Sequence, residues 1–192
     1  MYPAIFLDRD GVIIENRANY VRNWSQVSIF PNAIKALSNS IMEKYKIIVV
    51  TNQSAVGRNL ISFETAREIN DKLSVAIKQI GGNVDGIYMC PHAPEHECNC
   101  RKPKPGLLLQ AAQELSLDLS ASWMIGDAWS DLLAGQAAGT RGNIMVKTGR
   151  GAKQLLLSHP ENLKGYFVFN DLSEAVNAIF QLDKLSHANN SY

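Results

Sequence analysis

The chain alternates short, unbroken apolar runs with stretches whose apolar residues recur every three or four positions. Ala4-Ile5-Phe6-Leu7 is the first run, followed by Lys46 to Val50, Gly86 to Met89, Ser122 to Ile125, Asn143 to Val146 and Tyr166 to Phe169. Unbroken rather than alternating apolar residues predict strands covered on both faces, as in a parallel sheet. Between them lie helical patterns. Pro31-Asn32 opens a helix carrying Ile34, Leu37 and Ile41. Ser62 is placed to cap a helix that runs to about Ile80, with Phe63, Ala66, Ile69, Leu73, Ala76 and Ile80 on one face and Gly81-Gly82 at its end. Pro105 to Leu115 and Ser130 to Ala138 read as two more, the second closed by Gly139, while Glu15 to Ser28 is irregular. Strands alternating with helices predict an α/β fold, a doubly wound, mainly parallel Rossmann-like sheet with right-handed crossovers.

In such sheets ligands bind beyond the carboxyl ends of the strands, so the residues there matter most. The first run ends in Asp8-Arg9-Asp10-Gly11, the second in Thr51-Asn52 and the fourth in Gly126-Asp127, with Asp131 four residues on; Arg101-Lys102-Pro103 follows the third. A lone Asp-x-Asp-Gly is a common acidic turn. Carboxylates, a hydroxyl and cations gathered at one sheet end are instead what phosphoryl transfer requires: a nucleophile, a hard metal and donors for the equatorial oxygens.

Composition narrows the setting. The 192 residues are enough for one well-buried core, and no Pro/Gly/Ser-rich linker divides them, so residues 1–185 are expected to form a single domain. Residues 186–192 form a polar tail expected to be frayed. Lys and Arg number 19 against 18 Asp and Glu, which leaves no field-wide attraction to nucleic acid or an anionic membrane. No basic leader or membrane-length apolar segment is found, and a cytoplasmic monomer acting on a small molecule is expected. All three cysteines fall within the pattern Cys90-x-His92-x5-Cys98-x-Cys100, a Pro-interrupted loop with little core to fill; sulfur and imidazole there suit a closed, structural Zn²⁺ site, with His96 as the other imidazole in reach.

Asp8-Arg9-Asp10-Gly11, Thr51-Asn52, Lys102 and Gly126-Asp127-x3-Asp131 resemble the four motifs of the haloacid dehalogenase superfamily of aspartyl-phosphate phosphatases, over most of the chain to about Gly151. Thr51-Asn52-Gln53-Ser54, the run from Cys98 to Gly106 and Lys147-Thr148-Gly149-Arg150-Gly151 are similar to its heptose bisphosphate phosphatase branch. Histidinol-phosphate phosphatases share the first, second and cysteine motifs; Ser54, Pro105-Gly106 and the Thr-Gly-x-Gly of 148–151 favour the heptose branch. The resemblance selects His92 as the fourth zinc ligand. It implies removal of the C7 phosphate of a heptose 1,7-bisphosphate in nucleotide-activated heptose biosynthesis, the pathway of lipopolysaccharide sugars, with Mg²⁺ as catalytic and Zn²⁺ as structural cofactor. Substrate contacts carry over to Asn16 through Tyr20, to Thr51, Asn52, Gln53 and Ser54, and to Arg101. Ala128 stands where Lys is usual and Ala55 where Gly is usual.

The residue types allow the chemistry independently. Ionised Asp8 can attack phosphorus, and Asp10 can protonate the leaving oxygen and then deprotonate water. Mg²⁺ would lie between Asp8, the Asp10 main-chain carbonyl and Asp127. Thr51 and Lys102 would hold phosphoryl oxygens, Asp131 would orient Lys102 or the metal waters, and Gly11 would let backbone approach the phosphate. The crossovers from Gly11 to Lys46 and from Gln53 to Asp85 are too short for a cap domain, so an open site is expected. Two other classes of protein fit these residues less well. A zinc-containing nucleic-acid module would rest on Arg101, Lys102 and Lys104 alone, without stacking aromatics, and a receiver-type module leaves the cysteine loop and Asp10 unexplained.

Overall fold

Each apolar run becomes a strand of one sheet because both of its faces are covered by helices. The structure, a computed structural model, describes residues 1–189. Strands β1 (Tyr2–Leu7), β2 (Lys46–Asn52), β3 (Gly86–Cys90), β4 (Leu117–Gly126), β5 (Gly142–Val146) and β6 (Phe167–Phe169) lie in the order β3-β2-β1-β4-β5-β6, and every neighbouring pair is parallel. The helices are α1 (Pro31–Leu37), α2 (Ser54–Gly57), α3 (Phe63–Gln79), α4 (Gly106–Leu115), α5 (Trp129–Ala138), α6 (Gly151–Gln154) and α7 (Leu172–Asn189). Alternate strand residues face opposite layers. Ile5, Leu7, Val49, Ile125 and Ile144 pack under α1, α3 and α7, whereas Ala4, Phe6, Ile48, Val50 and Met124 pack under α4 and α5. This is the doubly wound architecture. Among the described residues no cap domain is inserted in either early crossover.

The chain moves from β1 outward to β3, then crosses back to β4 and outward again to β6. The reversal puts a switch point between β1 and β4, where loops diverge and leave a crevice. Leu7 pairs with Val49 on one side and Ile125 on the other, so the residues after all three strands emerge at one level.

Several boundaries differ from the sequence reading. Helix α1 ends at Leu37, and Ile41 falls in a separate 3-10 turn, Ser40–Lys44. On α3 the buried stripe is Ala66, Ile69, Asn70, Leu73 and Ile77, leaving Phe63 exposed; Ser62 does cap the helix, accepting from Thr65 N at 3.0 Å. Strand β4 begins at Leu117, ahead of Ser122. Its pairing with β1 shifts register between Pro3 and Ile5, and Ser122 Oγ accepts from Ala4 N at 2.8 Å there, a side chain standing in for a ladder partner.

The largest difference is α7, for which no helix was expected. Leu172, Ala175, Val176 and Ile179 follow helical spacing and are buried against the sheet, and Asp171 Oδ1 caps the first turn by accepting from Glu174 N at 2.9 Å. The helix continues to Asn189, so helical backbone extends into the segment expected to be frayed; residues 190–192 lie outside the described residues. Among the described residues no helix is long and apolar enough to cross a membrane.

Candidate active site

Asp8 follows the central strand and is buried to 4% exposure, at the bottom of a cavity of about 670 Å³. Lys102 reaches it from the loop after β3, its ammonium donating to Asp8 Oδ1, to Asp131 Oδ1 and to the Val50 carbonyl, each at 2.7 Å. Three acceptors saturate an ammonium, so Lys102 is fixed in place. Asn52 fixes its main chain, accepting from Lys102 N at 3.1 Å and donating to Lys102 O at 3.0 Å. Asp131 Oδ2 in turn accepts from Ala128 N at 3.0 Å, which sets the first turn of α5.

Asp127, fully buried, supplies the third carboxylate. Its Oδ2 accepts from Asn16 Nδ2 at 2.7 Å and from Arg150 N at 2.8 Å, and its Oδ1 from Arg150 Nη2 at 2.9 Å. Asp8, Asp127 and Asp131 present carboxylate oxygens all within 4.8 Å of one another. Three buried carboxylates meet two cations, Lys102 and Arg150, and the excess negative charge shows in the titration. Burial pushes Asp131 up to about 7 against the pull of Lys102, with Asp8 and Asp127 adding to the rise. Burial also raises Asp127, partly offset by Arg150. For Lys102 burial works downward, but Asp131 and Asp8 outweigh it and hold the ammonium charged. An uncompensated charge among hard oxygen donors fits a divalent cation such as Mg²⁺.

Gly11 and Gly149 make this corner possible. Both have positive φ, +94° and +57°, and a Cβ on either would collide with Asp127 Oδ2. Thr148 Oγ1 donates to the Gly11 carbonyl at 2.6 Å, binding the loop after β5 to the loop after β1.

Asp10 sits at the rim of the same cavity, partly exposed. Its Oδ2 is 2.9 Å from Arg9 Nη2 and accepts from Gln53 Nε2 at 3.0 Å. The Arg9 guanidinium is itself buried, held by Asn70 Oδ1 of α3 at 2.8 Å. Arg9, Asn70, Thr148 and Arg150 had no role in the sequence reading. Arg9, Thr148 and Arg150 lie within its motifs, but only folding brings Asn70, sixty-one positions from Arg9, into contact. Thr51 Oγ1 is buried and accepts from Gln53 Nε2 at 2.7 Å, so the Gln53 amide nitrogen is committed to Thr51 and Asp10.

The cysteine loop forms a second cluster. Sγ atoms of Cys90, Cys98 and Cys100 lie 3.2–3.5 Å apart, and His92 Nδ1 lies 3.4 Å from Cys100 Sγ and 3.7 Å from Cys90 Sγ. A tetrahedral ion with bonds of about 2.0–2.3 Å needs edges of roughly 3.3–3.8 Å, so these four atoms could hold zinc. His96 stays outside, its Nδ1 accepting from Ala93 N at 3.3 Å. Burial raises Cys90 and Cys100; it pushes Cys98 up too, but the Cys100 thiol and Arg101 N–H bring Cys98 down to about 6. Arg101 leaves this loop toward the cavity with Nη1 on Ser54 Oγ at 2.8 Å and on the His92 carbonyl at 3.1 Å. Asn16, Tyr20, Asn52, Gln53, Ser54, Arg101 and Lys102 all line the cavity together with Asp8, Asp10 and Arg150, whereas Thr51 lies beneath it.

Fold and site together define a hydrolase of the haloacid dehalogenase type, and the HAD-hydrolase-like family model matches residues 99–175. A Pseudomonas aeruginosa protein named D-glycero-beta-D-manno-heptose-1,7-bisphosphate 7-phosphatase is 34% identical over 177 residues, 92% of this chain and 97% of its own. One of the same name from Pasteurella multocida is 38% identical, over 78% of this chain and 84% of its own. The crystal structure of D,D-heptose 1,7-bisphosphate phosphatase from B. bronchiseptica, complexed with magnesium and phosphate, aligns with TM-score 0.85 at 34% identity, covering 93% of this chain and 98% of that one. The chain belongs to the D-glycero-beta-D-manno-heptose-1,7-bisphosphate 7-phosphatase family of the haloacid dehalogenase superfamily, a family of phosphatases.

Proposed function

We propose that this chain hydrolyses the C7 phosphate of D-glycero-β-D-manno-heptose 1,7-bisphosphate through an aspartyl-phosphate on Asp8, with Mg²⁺ held by Asp8, Asp127 and the Asp10 carbonyl. The observation that carries the mechanism is the Lys102 ammonium clamped 2.7 Å from both Asp8 and Asp131 at the floor of the cavity. With Oδ1 held there, Asp8 Oδ2 is the attacking atom, and the positive charge of the ammonium, whose three hydrogens go to protein acceptors, favours the negative charge that gathers during transfer. Asp10, kept at the rim by Arg9 and Gln53, donates its proton to the departing sugar oxygen and takes one from the water that cleaves the acyl phosphate. The metal supplies charge neutralisation between the carboxylates and the anionic substrate.

Zn²⁺ on Cys90, His92, Cys98 and Cys100 serves as a clamp. Its support is the compact cluster of the four atoms and the hydrogen bond from Arg101 to the His92 carbonyl, which makes the direction of Arg101 depend on the loop. Three unpaired thiols suit a reducing, cytoplasmic setting. The names of the relatives support the substrate, as does an open cavity lined by Arg101, which offers a cation to a second phosphate. The test is Mg²⁺-dependent phosphate release from heptose 1,7-bisphosphate, its 7-monophosphate and histidinol phosphate. The bisphosphate should have the highest kcat/KM; a higher value for histidinol phosphate would overturn the substrate assignment.

A further inference from the structure

Among the described residues, Arg150 is the one cation of the site whose side chain is both bound to a buried carboxylate and largely open to the cavity. Its side chain is 56% exposed, whereas Asp127 is 0% exposed. The main chain beneath it is anchored: Arg150 N donates to Asp127 Oδ2 at 2.8 Å, Gly151 N to the Thr148 carbonyl at 2.9 Å, and Thr148 Oγ1 to the Gly11 carbonyl at 2.6 Å. Movement is therefore left to the side-chain torsions. The two oxygens of Asp127 are unequally served. Oδ2 keeps Asn16 Nδ2 and Arg150 N whatever the guanidinium does, but among the described residues Oδ1 has only Arg150 Nη2, at 2.9 Å. The remaining guanidinium contact, Nε to Oδ2, is long at 3.3 Å.

We propose that Arg150 is an exchange arm: its guanidinium neutralises Asp127 when no metal is bound, is driven off Oδ1 when the ion binds, and then grips the phosphate that the substrate does not transfer. This rests on the proposed bisphosphate substrate and on the metal assigned to Asp127. Asn16 Nδ2 and Arg150 N already occupy Oδ2, so an ion joining Asp127 approaches Oδ1, the position the guanidinium fills, and repulsion between the two positive charges favours the guanidinium's departure. Once displaced, the guanidinium is already in the cavity that contains Arg101 and Tyr20. Arg101 is fixed from the β2–β3 side by Ser54 and His92, and Arg150 enters from the β5 side of the switch point, so two guanidinium forks converge from opposite sides. Planar forks suit phosphate oxygens bidentately. The arm makes the full substrate site available only after the metal has bound.

The test begins without substrate. Mn²⁺ titrated into the metal-free site and followed by electron paramagnetic resonance should bind R150A and R150Q roughly five- to tenfold more tightly than the wild type, since a competitor has been removed. Equal or weaker binding in both variants overturns the exchange. At saturating Mg²⁺ both variants should then raise KM for the 1,7-bisphosphate at least about fivefold more than KM for the 7-monophosphate, with the main effect on KM rather than kcat. Equal shifts for the two substrates overturn the phosphate grip. If neither heptose phosphate is turned over by the wild type, the substrate reading and the grip fall together, while the Mn²⁺ result still decides the exchange.

Discussion

Asp8 occupies the position where one atom changes the chemistry and little else. Replacing it by Asn removes the attacking charge, retains the shape, and relieves repulsion among three buried carboxylates. D8N should lose at least about three orders of magnitude in turnover while its melting temperature stays level or rises. Steady-state phosphate release and a thermal melt check this, and near-normal turnover would falsify the aspartyl-phosphate route. Arg101 lines the cavity, and on the proposed function it would bind ground and transition states alike. R101A should raise KM for the bisphosphate roughly tenfold, narrow its advantage over a monophosphate, and leave kcat within a few-fold. An equal fall in kcat for both substrates would place Arg101 in the chemical step instead.

Loops dominate at the scale of elements, because the strands only bring them level. Gly149 sits where the loop after β5 touches both Gly11 and Asp127, at φ +57°. G149A adds backbone strain of about 1 kcal/mol and pushes against a carboxylate oxygen, so Mg²⁺ affinity should fall with a modest loss of stability. Calorimetric titration of Mg²⁺ is the direct measurement, and an unchanged affinity contradicts the packing account. The cysteine loop makes a matching prediction. Wild-type protein should carry about one zinc per chain by elemental analysis. C98S should lose it, melt at lower temperature, and raise KM through Arg101, whose guanidinium depends on the His92 carbonyl for position. Full zinc content in C98S would remove the clamp.

For the whole molecule, the carboxylate trio ties stability to pH and metal. Asp131 is raised to about 7 from an unfolded value of about 3.9, so folding favours its protonated form. That contribution is complete below about pH 4 and is lost as pH rises through about 7. The metal-free protein should therefore melt at lower temperature at pH 8 than at pH 5.5. Mg²⁺ on Asp8 and Asp127 would bring positive charge next to Asp131 and favour its ionised form, so the ion's stabilising increment should be larger at pH 8. Thermal melts with and without Mg²⁺ at both values decide this, and an increment independent of pH contradicts it.

The apolar runs determined the parallel sheet by themselves, since a strand without a polar face has to be covered twice, and the residues ending those runs placed carboxylates, Thr51 and Lys102 at one end of it. The Cys90, His92, Cys98 and Cys100 cluster was legible for a similar reason: thiols crowded into a short loop have few other uses. Boundaries were less legible where a side chain replaced a backbone partner, as Ser122 does for Ala4, or where a turn of different pitch followed a helix, as after Leu37. The helical spacing of α7 is plain in Leu172, Ala175, Val176 and Ile179, although the sequence reading places no helix there. What only the tertiary structure decided were pairings between distant loops: Asn70 on Arg9, Thr148 on Gly11, and Arg150 on Asp127. Periodicity records which face of an element is buried, but a polar contact depends on where two loops meet, and that is fixed by strand order and register, which no local pattern in the chain encodes.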